Sequence, residues 1–281
     1  MKICSFGFSG MEQAGIVDLD GRIRDISSVV PKWTTAHLAP EGLAMLAGID
    51  PSTLPEVDRG IRIGVPFEGI SKYVCIGLNY SDHAAESGLP IPSEPLVFLK
   101  APSAICGAND DTIIPVGSSK LDWEVELGIV IGSVASNVGE DAALDHVFGY
   151  CLLNDVSERA FQMQSSQWDK GKGCDTFGPI GPWVATRDEI DDPQNVDLWL
   201  DVNGKRMQTG NTRTMIFSVR EIVSYLSRYM TLMPGDVIAT GTPPGVGMGI
   251  KPEPIYLSEG DIVELGATGL GQQRQQVQRR Y

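Results

Sequence analysis

Positive charge is scarce in this sequence: 22 lysines and arginines stand against 36 aspartates and glutamates, a formal net charge of -14. A chain so acidic is a poor partner for nucleic acid or for an anionic membrane surface, since both demand clustered cations. Long apolar runs are missing as well. No stretch approaches the roughly twenty apolar residues of a membrane span, and the opening Met1-Lys2-Ile3-Cys4 lacks the apolar core of a secretory leader. The expectation is a cytoplasmic protein. Cysteine is sparse: Cys4, Cys75, Cys106, Cys151 and Cys174 are odd in number and contain no Cys-x-x-Cys. Neither a disulfide framework nor a zinc cluster fits them, and they read as reduced thiols. Histidine occurs only at positions 37, 83 and 146, which leaves few places for imidazole chemistry. A dinucleotide site is excluded too. Gly245-x-Gly247 would need a helix after it, and the neighbouring Pro243, Pro244 and Gly249 deny one.

What is present suits a globular chain with a full core: 281 residues, 42% hydrophobic, without internal repeats. Residues 1–65 read as a small α/β appendage, with a hairpin around Asp20-Gly21, a helix near 41–49 and a linker at 51–55. Residues 66–281 form the main domain, opening on the strand-like Lys72-Tyr-Val-Cys-Ile-Gly77. Within it Asn203-Gly204 marks a hairpin, and Ser218-Val-Arg-Glu221 is a capping box that starts an amphipathic helix stopped by Pro234-Gly235. Strands are expected at 236–240 and 260–265. The Gln/Arg-rich segment from Gln272 is expected to fray.

Residues 121–132, Leu-Asp-Trp-Glu-Val-Glu-Leu-Gly-Ile-Val-Ile-Gly, carry three acids at the mouth of a β-branched apolar run and read as one buried strand. Alternation puts Glu124 and Glu126 on the same face. Without a cation between them, one of two such carboxylates is driven toward its protonated form. A hard divalent ion removes the conflict, and oxygen-only ligands favour Mg²⁺, Mn²⁺ or Ca²⁺ over zinc. A bare Glu-x-Glu on an exposed edge needs no ion. The apolar continuation argues against an edge, and a second apolar run ends in Asn154-Asp155, which makes Asp155 the third candidate ligand.

Other candidates surround these. His83 and Glu86 lie three apart in a short helix bounded by Gly88, Pro90 and Pro92, either as a base with its orienting acid or as a surface pair. Lys100 ends the apolar Pro95-Leu-Val-Phe-Leu run and is either solvated or turned to the site. Arg159 and Gln162 share one helical face, where they could reach a carboxylate or simply form a polar surface. Lys172 lies in a Gly/Pro-rich segment at 168–182 that reads as a loop wrapped around a small ligand. Thr242 and the amides of the 241–249 loop could hold a substrate carboxylate.

In order, Gly77-Leu-Asn-Tyr-x-Asp-His, Phe98-Leu-Lys, Asp122-Trp-Glu-x-Glu-Leu, Asn154-Asp155, Gly171-Lys-Gly and Gly235-Asp-Val-Ile-x-Thr-Gly-Thr-Pro-x-Gly-Val-Gly resemble the fumarylacetoacetate hydrolase family. The resemblance implies a mostly β, α+β fold, a mixed β-sandwich roll. It further implies Mg²⁺ or Mn²⁺ as cofactor, held by Glu124, Glu126 and Asp155. By the same resemblance His83 and Glu86 are the catalytic dyad, Lys172 is the catalytic lysine, and Arg159, Gln162 and Thr242 touch substrate, with Lys100 placed beside them. The partner implied is a small 2,4-diketo acid, and the assembly a homodimer or higher homo-oligomer.

More narrowly, Gly171-Lys-Gly-Cys-Asp-Thr-Phe-Gly-Pro-Ile-Gly-Pro and Asn211-Thr-Arg-Thr-Met-Ile-Phe resemble the branch that hydrolyses 2,4-diketo-3-deoxy-L-fuconate or L-rhamnonate, a branch that also carries the name ureidoglycolate lyase. The expected reaction is hydrolysis of the C3–C4 bond to pyruvate and lactate, with His83 activating water and Lys172 steadying the developing oxyanion or delivering a proton. A general acylpyruvase, an oxaloacetate decarboxylase and a non-catalytic ligand-binding protein stand as alternatives.

Overall fold

The computed structural model describes residues 1–46, 48–82 and 90–279. The chain opens with β1 (Lys2–Phe6), β2 (Gln13–Val17) and β3 (Ile23–Asp25), the last two closing over the Asp20-Gly21 turn. Helix α1 (Pro40–Ala44) covers only the start of the expected 41–49 span. Glycines at 42 and 48 weaken that span as a helix. Strands β4 (Tyr73–Gly77), β5 (Leu96–Lys100), β6 (Ile105–Gly107) and β7 (Thr112–Ile114) follow. Next come β8 (Leu121–Asp122), β9 (Val125–Ile131), α2 (Glu140–Ala143) and β10 (Val147–Asn154). Beyond these lie β11 (Ser157–Glu158), the one-turn helices α3 (Arg159–Gln162) and α4 (Asp169–Lys172), and β12 (Gly178–Thr186). The remainder is β13 (Asp197–Val202), β14 (Lys205–Asn211), α5 (Val219–Tyr229), β15 (Val237–Ala239), β16 (Ile262–Ala267) and β17 (Gly271–Arg279).

A ten-stranded sheet runs β3-β2-β1-β12-β10-β9-β15-β4-β5, with β6 added parallel to β12. A five-stranded sheet runs β14-β13-β16-β17-β7, and β8 forms a two-stranded sheet with β11. Antiparallel and parallel pairs coexist, the latter at β15·β4 and β17·β7. The two large sheets enclose one core that includes Leu127, Ile129, Leu152, Leu200 and Leu265. A second core lies across the other face of the large sheet. It joins Ile3, Ile16 and Trp33 to Tyr73, Val130 and Phe148, so residues 1–65 share both sheet and core with the rest of the chain. The N-terminal strands are apolar enough to be buried, as β1 is from Ile3 onward, and burial is gained by extending an existing sheet.

Three expectations need correction. Residues 121–132 are two strands in different sheets, β8 and β9, broken at Trp123-Glu124. At the break Trp123 N donates to Asp122 Oδ1 (2.8 Å) and Glu124 N to Asn154 Oδ1 (3.0 Å), so side chains replace a neighbouring strand as acceptors. The segment from Gln272 does not fray but forms β17. Its Gln273 and Gln275 are buried, with Gln273 Nε2 donating to the carbonyls of Leu152 and Gly181 and Gln275 Nε2 to that of Ala108. Helix α5 starts with its capping box formed, but it stops at Tyr229, before Pro234, because Leu232 leaves to pair with Ala135.

Candidate active site

The break between β8 and β9 is what builds the site. Because β10 runs antiparallel to β9 with Leu153 opposite Glu126 and Asn154 opposite Val125, Asp155 emerges beside both glutamates, and its amide donates to Glu124 O at 2.9 Å. Glu124, Glu126 and Asp155 are all buried, and oxygens from the three lie within 4.8 Å of one another. Val125 between the glutamates is gripped from both sides. Gln208 on β14 accepts from Val125 N (3.0 Å), and Thr242 donates its hydroxyl to Val125 O (2.9 Å) while accepting from Gln208 Nε2 (2.8 Å).

Cations close around the carboxylates. Lys172 Nζ donates to Glu124 Oε2 at 2.5 Å and Asp155 Oδ2 at 2.7 Å, and Arg159 Nη2 donates to Glu124 Oε1 at 2.6 Å. Burial opposes ionisation of Glu124, but Arg159 and Lys172 outweigh it and hold the carboxyl at about 2. Among the described residues Glu126 has the Gly241 amide as its hydrogen-bond donor, at 2.8 Å. Burial, reinforced by the charges of Asp155 and Glu124, raises it well above the usual carboxylate range. This is the asymmetry that two neighbouring acids without a shared cation must show.

The donor set fits a hard divalent ion: three carboxylates and no sulfur or imidazole among the described residues of the cluster. One further observation supports the fit. Lys100 Nζ is ion-paired with Asp155 Oδ1 at 2.5 Å, and two of its three hydrogens go to the carbonyls of Val156 and Lys172 at 3.0 and 2.6 Å. That buried oxygen has no aligned hydrogen bond among the described residues and is held by the ammonium charge alone, an acceptor suited to a cation.

A cavity of about 360 Å³ opens over the cluster, lined by Arg159, Gln162, Lys172 and Thr242 and walled by Phe98, Trp168 and other apolar side chains. Of the expected substrate contacts, Arg159, Gln162 and Thr242 thus line the cavity, although the Thr242 hydroxyl proton is already given to Val125. Lys100 is 3% exposed, so it is turned to the site rather than solvated, but it lies behind Asp155 and does not line the cavity as the expected substrate contact would. Lys172 sits on the helical turn α4 rather than in an irregular loop. His83 and Glu86 lie outside the described residues. Sequence reading missed Gln208, which has no local signature, and the apolar wall of Phe98 and Trp168, two rings packed edge to face at 5.4 Å.

Lys172 depends on the residue before it. A Cβ on Gly171 would come within 2.5 Å of Gln162 N and 2.6 Å of Gln162 Cβ, so α4 can press onto α3 only with glycine there. Gly171→Ala should cost about 1–3 kcal/mol through overpacking. Urea unfolding is the check, and a variant as stable as the parent would show that the two turns are not in contact.

Comparison with known proteins agrees with this geometry. The family described as fumarylacetoacetate (FAA) hydrolase C-terminal matches residues 72–278. A Burkholderia lata protein, whose name goes no further than hydrolase, is 59% identical over 276 residues, 98% of each chain. Among solved structures, a fumarylacetoacetate hydrolase from the psychrophile Exiguobacterium antarcticum has a TM-score of 0.90 at 36% identity, covering 100% of both chains. A 2-hydroxyhepta-2,4-diene-1,7-dioate isomerase from Mycobacterium marinum has a TM-score of 0.74 at 32% identity over 100% of this chain and 99% of that one. A maleylpyruvate hydrolase from Sphingobium sp. SYK-6, in complex with manganese(II) and pyruvate, has a TM-score of 0.83 at 28% identity over 100% of both. With one family matched along most of its length and whole-chain likeness to that family's structures, the chain belongs to the fumarylacetoacetate hydrolase family.

Proposed function

We propose that the protein is a Mg²⁺- or Mn²⁺-dependent hydrolase that cleaves the C3–C4 bond of a 2,4-diketo acid, releasing pyruvate and a second acid. The observation that carries this reading is the buried Glu124, Glu126 and Asp155 cluster at the base of a cavity that also presents Lys172 and Arg159. Glu124, Glu126 and Asp155 would hold the ion, whose Lewis acidity draws negative charge onto the carboxylate and 2-oxo oxygens of such an acid. Arg159 and Gln162 orient the carboxylate end. His83, backed by Glu86, takes the proton from the attacking water. Lys172, whose ammonium form is favoured by Asp155 and Glu124 against the cost of burial, steadies negative charge at the cleaved carbonyl or returns a proton. The solved relative that holds manganese and pyruvate supports both cofactor and product.

The finer proposal is that the substrate is 2,4-diketo-3-deoxy-L-fuconate or L-rhamnonate and the second product lactate, on the strength of the 171–182 and 211–217 motifs. Oxaloacetate decarboxylation stays as a second reading, because the described residues of the site serve an enolate however it is formed. We place the enzyme in the cytoplasm, as its composition suggests, and propose a homodimer. Edge strand β5 exposes Leu96, Val97 and Leu99, apolar side chains that a second copy would cover. Light scattering should return a multiple of the chain mass; a monomer at micromolar concentration rules the dimer out.

The deciding experiment follows pyruvate release from the deoxy-diketo sugar acid, simple acylpyruvates and oxaloacetate with Mg²⁺, before and after exhaustive chelation. Turnover should vanish on chelation and return with the ion. Activity that survives chelation overturns the metal assignment.

A further inference from the structure

Three acids open the 121–132 run, and the site as described uses only the second and third. Asp122 is fully buried and does not line the cavity, yet its carboxylate collects four donors from three parts of the chain. Trp123 N (2.8 Å) and Gly247 N (2.7 Å) donate to Oδ1, while Arg159 Nε (2.8 Å) and Met248 N (3.0 Å) donate to Oδ2. We propose that Asp122 is a positioning residue, fixing the Arg159 guanidinium and the 246–249 wall of the cavity relative to Glu124 and so setting how the anionic end of a substrate is held.

The geometry leaves Arg159 little freedom. Nε is held by Asp122, Nη2 by Glu124 at 2.6 Å, and Nη1 donates to Gln162 Oε1 at 3.0 Å. Two carboxylates on two edges of a planar group fix its plane, and two of its five N–H groups remain for a ligand in the cavity that it lines. The same carboxylate reaches the wall opposite. A Cβ on Gly247 would stand 2.7 Å from Asp122 Oδ1 and 2.1 Å from Ile255 O, so the backbone comes this close only because position 247 has no side chain. Trp123 adds a second tie, its indole Nε1 donating to Gly245 O at 3.2 Å. Asp122 thus couples the guanidinium that would meet the substrate carboxylate to the loop that would flank it.

The inference rests on the reading that the cavity takes an anionic diketo acid, and the test separates the two. Asp122→Asn keeps the shape but turns an NH₂ toward a pair of N–H donors in either orientation, so two of the four bonds are lost. With 2,4-dioxopentanoate as probe and Mg²⁺ present, KM should rise roughly 10-fold or more, the lower end of what loss of an outer partner costs, while kcat changes far less. In an Arg159→Met background the same change should raise KM by no more than about 2-fold, since the guanidinium it acts through is gone. Hydrogen exchange at the 247 and 248 amides should quicken in Asp122→Asn without any substrate. If Asp122→Asn does not accumulate as folded protein, the exchange comparison is made between Arg159→Met and the double variant, where neither charge is left buried alone. A KM effect of equal size with and without Arg159, or unchanged exchange at 247–248, overturns the proposal. A parent enzyme inactive on the probe would instead count against the proposed reaction, and the exchange result alone would then decide the role of Asp122.

Discussion

Asp155→Asn should abolish turnover of every substrate the enzyme accepts and lower Mn²⁺ affinity by more than the roughly 10–100-fold that loss of an outer-shell partner costs. The reason lies in the number of interactions that meet at this one carboxylate. Oδ2 takes a hydrogen bond from Lys172, Oδ1 is ion-paired with Lys100 at 2.5 Å, and the backbone amide anchors Glu124. An amide in that place offers one weaker acceptor and sets an NH₂ against an ammonium. Asp155→Ala goes further, leaving Lys100 as a buried charge with only the Val156 and Lys172 carbonyls near it, at a cost of roughly 3–5 kcal/mol in stability. Mn²⁺ titration followed by electron paramagnetic resonance reads the first effect and denaturant unfolding the second. Native metal affinity in Asp155→Asn would remove Asp155 from the ligand set.

His83→Ala should cut cleavage of a 2,4-diketo acid by about two to four powers of ten, the usual loss when a positioned base is removed. Decarboxylation of oxaloacetate asks for no attacking water, so any such activity should fall much less. Asp155→Asn, by contrast, should depress both reactions together. Comparing the two variants on the two substrates therefore separates the proton-transfer role from the metal-holding role. Hydrolysis that stays within a few-fold of the parent in His83→Ala would sink the dyad and bring the decarboxylase reading forward.

The parts of the site written locally in the sequence were legible. Glu124 and Glu126 are two residues apart, and Asp155 closes an apolar run, so alternation and a strand end were enough to bring the three acids together. The break at Trp123-Glu124 was not legible, because it depends on Asn154 accepting from Glu124 N, a contact across 30 residues. Gln208 was invisible for the same reason: its partners Val125 and Thr242 come from other segments. The polar 272–279 segment misled because glutamine reads as surface. Here alternate glutamines turn inward, Gln273 satisfied by carbonyls of β10 and β12 and Gln275 by that of Ala108, which composition cannot reveal. Lys100 followed a similar course, its charge paired inside rather than solvated.

The glutamine-bearing strand β17 has a consequence for the order in which the protein is made. Gln275 Oε1 accepts from Asn154 Nδ2, and Asn154 in turn receives the Glu124 amide, so the backbone next to the carboxylate cluster is braced by a residue synthesised more than a hundred positions later. β17 also pairs in parallel with β7, matching Val277 to Thr112. Pairings this distant in sequence close slowly and only after the intervening chain is available. On the ribosome, residues 73–155 would emerge with their three acids and apolar strands in place but without the brace that sets Glu124. A nascent chain arrested before residue 271 should therefore expose β9 and β10 to protease and to chaperones, and acquire metal affinity only on release of the remaining strand.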